Sequence, residues 1–293
     1  MKIELTYQDL RALTDTRGGE LISLQNAAGT EYIWDGNPAF WPGINPLLFP
    51  FVGTLKDGTV CFEGKPYSME RHGFARRMDF AVAEQSENSI LFELRETEQT
   101  LAQYPYPFLL QVRHTLEENG FTTALSVTNT GNRPMPFCIG AHTAFRCPLK
   151  EDETFEDYDI VFDRPETAAL TLLSPKGDIL HGRREALLRE SDRFSLERGV
   201  FERLDTMIFE GLTSTGVSLR HRTGGHGVHV SFAGFPMLAF WTKSGCEAPF
   251  LCIEPWHGCA AYDNESGNFT DKPHCITLQP GGSKELHYTV TLL

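Results

Sequence analysis

Between Phe108 and Val127 apolar and polar side chains alternate at a period of two, and the alternation breaks once, at Glu118-Asn119-Gly120. A strand turns successive side chains to opposite faces, so Phe108, Leu110, Val112, His114 and Leu116 share one face. Turn residues at the break let the chain double back, and Thr123, Leu125 and Val127 carry that face onto the return strand. The reading is a β-hairpin with one buried side. Similar short runs, bounded by Gly, Asn, Asp and Pro, recur at 20–25, 31–35, 79–85, 89–95, 158–163, 228–232, 237–241, 250–254 and 285–292. Only 97–104 and 184–199 tolerate a helical reading, and both are short or interrupted in their apolar spacing. The expectation is an all-β chain with minor helical decoration.

No Pro/Ser-rich linker, charge block or fixed-period repeat divides the 293 residues, a length that a large β-sandwich can use as one unit, so a single domain over 1–293 is expected. Hydrophobic residues make up 41% of the chain, with 21 Phe among them, enough to build a substantial core. The 39 acidic against 26 basic side chains leave a net charge of −13, which repels phosphate backbones and anionic membrane surfaces. Nucleic-acid and membrane partners are therefore not expected. The N-terminus alternates instead of presenting the apolar run of a signal peptide, and no segment approaches the ~18 apolar residues of a membrane span, which points to the cytoplasm. Seven cysteines form an odd number in mostly apolar, strand-like sequence and read as reduced core thiols. Cys252 and Cys259 come nearest to a metal-binding pair but lack its tight spacing, and no metal is expected. His221, His226 and His229 surround Gly224-Gly225, which reads as a hairpin turn in preference to a metal site.

The chemistry is sought in polar residues placed where the pattern calls for burial or a plain turn. Three segments qualify: Glu70 to Arg77, in which His72 is followed by Gly and two Args; Cys138 to Phe145, in which His142 interrupts an apolar run; and Phe250 to Gly258, in which Glu254 ends an apolar strand before Pro255 and Trp256. A fourth stretch, Asn37 to Gly58, holds Trp41 and is rich in Pro and Gly. Ordered aromatic-rich loops of this kind often wall a binding site.

These stretches, in this order, resemble the aldose 1-epimerase (galactose mutarotase-like) superfamily, particularly its LacX-like and hexose-phosphate-epimerase-like branch. The resemblance begins at Gly18-Gly19-Glu20-Leu21 and runs through Phe40-Trp41, Leu48-Phe49-Pro50-Phe51-Val52-Gly53 and Arg71-His72-Gly73-Phe74-Ala75-Arg76. It continues through Gly140-Ala141-His142-Thr143 and Cys252-Ile253-Glu254-Pro255-Trp256 to Gln279-Pro280-Gly281-Gly282. It implies a large antiparallel β-sandwich and an isomerase that interconverts the α and β anomers of a hexose by opening and closing the ring. By resemblance Glu254 is the general base and His142 the general acid. His72, Asp205, Arg71, Arg76 and Trp41 are the substrate-binding candidates. The partner is a small-molecule sugar, no cofactor is needed, and the chain is expected to act as a monomer or homodimer. Many relatives in this branch carry Arg after the Leu-Phe-Pro stretch, whereas here Gly53 is followed by Thr54. That departure favours a free hexose over a hexose 6-phosphate, and a non-catalytic sugar-binding module is the alternative from a different class.

Overall fold

A computed structural model describes residues 1–293. Two large antiparallel sheets carry the fold, one of nine strands and one of eight, beside a three-stranded sheet formed by Lys2–Tyr7, Leu10–Asp15 and Glu20–Gln25. Alternation explains the nine-stranded sheet. Along Phe108–Glu117 every second residue is buried, from Phe108 through Leu116, and Gly120–Asn129 returns in register, with Val112 opposite Leu125 and His114 opposite Thr123. The turn is tighter than the sequence indicates. Gly120 already pairs with Glu117, leaving Glu118 and Asn119 as the connection.

The eight-stranded sheet follows a different rule. Its central strands Met237–Trp241 and Phe250–His257 are buried on both faces almost throughout, which gives continuous apolar runs in place of alternation. The two large sheets pack through aromatic side chains. Phe162 of the first meets Phe209 and Phe240 of the second at ring-centroid distances of 5.7 and 6.2 Å, within a contiguous core of 72 buried residues. This is the large antiparallel β-sandwich that the resemblance implies.

Two local expectations are corrected. Residues 31–35 form isolated bridges in place of a strand, Glu31 to Gln25 and Ile33 to Phe145, because this stretch crosses from the small sheet toward the large one and pairs with each for one residue. Residues 184–197 are not helical: the strands Ile179–Ala186 and Ser191–Ser195 take up half of 184–199, and a helix begins only at Arg198–Leu204. Pairing of Ala169 with Ala186 and of Leu170 with Glu185 overrides the weak local preference. The other helical stretch is a single capped turn, Glu98–Leu101. His221 and His226 flank a hairpin between Gly216–His221 and Gly227–Ser231, and all seven cysteines are free. No helix is long and apolar enough to cross a membrane.

Candidate active site

The site lies where the middle of the eight-stranded sheet is interrupted. Gly140 pairs with Trp256 and Thr143 with Ile253, so the register sets His142 opposite Glu254. The ladder lapses at His142, between the strands Ile139–Ala141 and Thr143–Arg146, beside Pro255, which has no N–H to donate. His142 Nε2 stands 3.3 Å from Glu254 Oε2. The imidazole is 8% exposed and the carboxylate 1%. The pair sits in an open cleft that also brings together Trp41, His72, Asp205 and Trp256. Trp41, from the proline-rich loop, stacks on His142 at 4.9 Å and 27°, and Trp241 meets the same ring edge-on at 5.8 Å.

His72 enters from another side. A left-handed turn positions it, with φ of 66° at His72 and 70° at Gly73. Only glycine fits at 73, because a Cβ there would stand 2.2 Å from the Phe49 carbonyl oxygen. The His72 N–H donates to the Gly53 carbonyl at 2.8 Å, and the Gly53 N–H donates back to His72 Nδ1 at 3.0 Å. That clasp makes Nδ1 the acceptor, so the neutral ring carries its proton on Nε2. The His72 and His142 rings meet edge to face at 5.6 Å. Asp205, the residue after the helix Arg198–Leu204, is held at φ 61° and ψ −69°, a sparsely populated conformation for a residue with a side chain. Its carboxylate is exposed at the cleft and accepts from the Thr206 hydroxyl at 3.0 Å.

Burial governs the proton affinities. It pushes Glu254 well above the usual carboxylate range; Asp205 adds to the rise, while the Trp256 indole and the Arg71 charge oppose it. Burial also lowers His142 to about 3, helped by the charges of Arg76 and Arg71. His72 falls well below the ordinary imidazole value through burial and its neighbours His142, Arg76 and Arg71. Four buried polar atoms at the site make no well-aligned hydrogen bond: His142 Nδ1, Glu254 Oε2, Trp256 Nε1 and Arg76 Nε. Leaving such an atom unpaired costs about 1–3 kcal/mol, so their convergence in one cleft marks a place built for a polar ligand.

Four cations in or near the segments singled out in the sequence, Arg71, Arg76, Arg77 and Lys56, separate into two kinds. Arg77 pairs with Glu70, and Lys56 donates to the backbone carbonyls of Asp263 and Glu265 at 2.9 and 3.4 Å. Arg71 and Arg76 line the cleft without a carboxylate at ion-pair distance, although burial of Arg76 is partly offset by the more distant Glu20. Arg76 donates to the Arg71 carbonyl at 2.7 Å, and the Arg71 guanidinium covers Gly177, where a Cβ would lie 2.9 Å from Nη2.

Two groups bring metal-ligating atoms within 4.8 Å of one another, His142 with Cys252 and Glu254, and Glu153 with His221 and His226. In the first, burial and the Glu254 charge hold the Cys252 thiol protonated, whereas a metal takes the thiolate. In the second, the imidazoles stack 4.8 Å apart and within 10° of parallel, so one ion cannot lie in both ring planes. His226 instead approaches Glu153 at 2.9 Å.

All seven residues singled out in the sequence, Trp41, Arg71, His72, Arg76, His142, Asp205 and Glu254, line this one cleft. The family assignment rests on the whole chain. A sequence model of the family described as Aldose 1-epimerase matches residues 1–290. The chain belongs to the aldose 1-epimerase family. It is 34% identical over 300 residues to the chromosomal protein LacX of Lactococcus lactis subsp. lactis, with both chains fully covered. A galactose mutarotase related enzyme from Lactobacillus acidophilus superposes with a TM-score of 0.95 at 29% identity, over 100% of this chain and 97% of that one. A galactose mutarotase-like protein from Lactobacillus casei gives 0.94 at 29% identity, with both chains fully covered. Membership places the chain among isomerases that act on carbohydrates.

Sequence reasoning missed Trp241, Trp256, Thr206, Leu173 and Gly177 as lining residues. A signal existed for Trp256, two positions beyond Glu254 and hence on the same strand face. Gly177 lies in the surface turn after Ala169–Leu173 and carries no sequence signal.

Proposed function

We propose that the chain interconverts the α and β anomers of a hexose by acid–base opening and closing of the ring. The carrying observation is the 3.3 Å contact between a buried carboxylate and a buried imidazole at the cleft floor. The two oxygens that exchange a proton, the C1 hydroxyl and the ring oxygen, are bonded to the same carbon, so their base and acid must stand side by side. From the microstate in which the pair's one proton sits on His142, Glu254 takes the C1 hydroxyl proton as the C1–O bond to the ring oxygen breaks, and His142 delivers its proton to that oxygen. The aldehyde turns about C1–C2 and the steps reverse. The pair holds one proton before and after, so no net proton and no cofactor is consumed. His72 Nε2–H is free to donate near the ring oxygen, Asp205 accepts from hydroxyls at the rim, and Trp41 presents an aromatic wall.

Arg71 and Arg76 favour a second reading, in which the hexose carries a negative group and is turned over as the 6-phosphate. Two guanidinium groups without carboxylate partners, in a chain of net charge −13, are suited to an anion on the ligand. Polarimetry or NMR of freshly dissolved glucose, galactose and their 6-phosphates separates the readings. Mutarotation faster than the spontaneous rate with the free sugars at least as good as the phosphates supports the first. A strong preference for phosphates supports the second. No acceleration with either class leaves a binding module.

A further inference from the structure

Trp256 follows Glu254 by two residues on Phe250–His257, so both side chains rise from one face into the cleft. A cross-strand glycine holds the indole there. Gly140 is the register partner of Trp256, and a Cβ on Gly140 would stand 2.8 Å from the indole Cδ1. Gly140 does not occupy the left-handed region, so the backbone does not demand glycine; the ring does. The indole is 4% exposed, yet its N–H has no acceptor of good geometry. Buried tryptophan N–H groups normally find one.

The acceptor within its reach is Glu254, on which the indole acts as a hydrogen-bond donor of imperfect geometry and whose Oε2 is also without a well-aligned partner. Burial drives this carboxylate toward its protonated form, in which it cannot act as a base, and Asp205 drives it the same way. His142 faces it, and Cys252 lies behind it as a protonated thiol. Arg71 acts against protonation through its charge, but the Trp256 N–H is the stronger opposing influence. A donor that binds the charged form of a buried carboxylate keeps that form populated and fixes its direction. We propose that Trp256 is a positioning residue, whose indole N–H, held over Gly140, keeps the Glu254 carboxylate proton-accepting and aimed at the anomeric centre. This rests on the reading of Glu254 as the general base.

Trp256→Phe keeps an aromatic ring over Gly140 and removes the N–H. The acid limb of the kcat/KM pH profile, followed by polarimetry, should move to higher pH by on the order of one unit. At neutral pH kcat should fall about tenfold, with recovery toward the wild-type rate in alkaline solution. Gly140→Ala displaces the indole and should move the limb in the same direction, while adding little in the Trp256→Phe background. Near-UV circular dichroism checks that each variant is folded, and if Trp256→Phe is not, Gly140→Ala carries the test alone. An unmoved acid limb overturns the proposal, whether the rate is unchanged or depressed equally at every pH, since the latter marks a purely structural role. Glu254→Gln separates the two levels. If it is crippled while Trp256→Phe matches wild type, the positioning role alone fails, and if Glu254→Gln itself is fully active, the general-base reading falls with it.

Discussion

Two buried histidines, one in each large sheet, face opposite situations. His114, in the nine-stranded sheet, is 2% exposed. Its Nε2–H donates to the Gly19 carbonyl at 2.9 Å, and its Nδ1 accepts from the Thr123 hydroxyl at 2.8 Å. His142, in the eight-stranded sheet, leaves Nδ1 without a partner and turns Nε2 to a buried carboxylate. Burial lowers both, His114 to about 4 and His142 to about 3. Depressed proton affinity is therefore common to the two and does not identify the working residue. What differs is satisfaction: the structural histidine has its hydrogen-bonding capacity used up by the fold, and the candidate catalyst has capacity left over.

The largest test of this contrast is chemical. Glu254→Gln retains shape and hydrogen bonding but cannot accept the proton, so turnover should fall by on the order of 10² to 10⁴ while sugar affinity, measured separately by calorimetry, persists. His142→Asn should cost a similar factor, and the double variant should be little worse than the poorer single one. His114→Gln should instead leave turnover per folded molecule within a few-fold. Full activity in Glu254→Gln, or a catalytic collapse in folded His114→Gln, breaks the distinction.

The next effect is on stability. His114 stays neutral in the fold down to about pH 4 but titrates near 6.5 when unfolded, so the unfolded state binds the extra proton as pH falls. Stability is full above pH 6.5 and declines toward pH 4, by up to about 3 kcal/mol from this residue. Urea titrations across that window should show a shallower decline for His114→Gln, together with a loss of about 1–3 kcal/mol at neutral pH from broken hydrogen bonds. An acid-side slope equal to wild type would remove His114 from the cause.

The smallest expected effect is at the wall of the site. Trp41→Ala removes the ring stacked on His142 and should lower kcat/KM about two- to tenfold, the scale of one lost aromatic contact of roughly 0.5–1.5 kcal/mol. Unchanged kinetics would show that the stack neither holds the imidazole nor contacts sugar.

Much of the nine-stranded sheet was legible because one face is buried and the other is not, and period two records that asymmetry. Residues 184–199 misled because they supply charged, exposed edge strands to the two different large sheets, which have no buried stripe to record, and their weak apolar spacing mimics a helix. Residues 31–35 alternate without forming a strand, since two sheets each claim one residue. At the site, His72, His142 and Glu254 stood out as polar residues in apolar surroundings. Arg71 and Arg76 could not be told from Arg77 and Lys56, because what separates them is whether the fold turns them into the cleft or out to Glu70 and to the carbonyls of Asp263 and Glu265.

The sequence by itself determined the all-β character, the buried faces and the family, since alternation and ordered local motifs are properties of neighbouring residues. The tertiary structure decided which polar residues share a cleft, bringing Trp41, His72, His142, Asp205 and Glu254 together from distant segments. It also decided that His142 works beside an unsatisfied carboxylate while His114 is consumed by hydrogen bonds. Both outcomes depend on burial and on distances of about 3 Å between residues far apart in the chain, and a one-dimensional pattern carries neither.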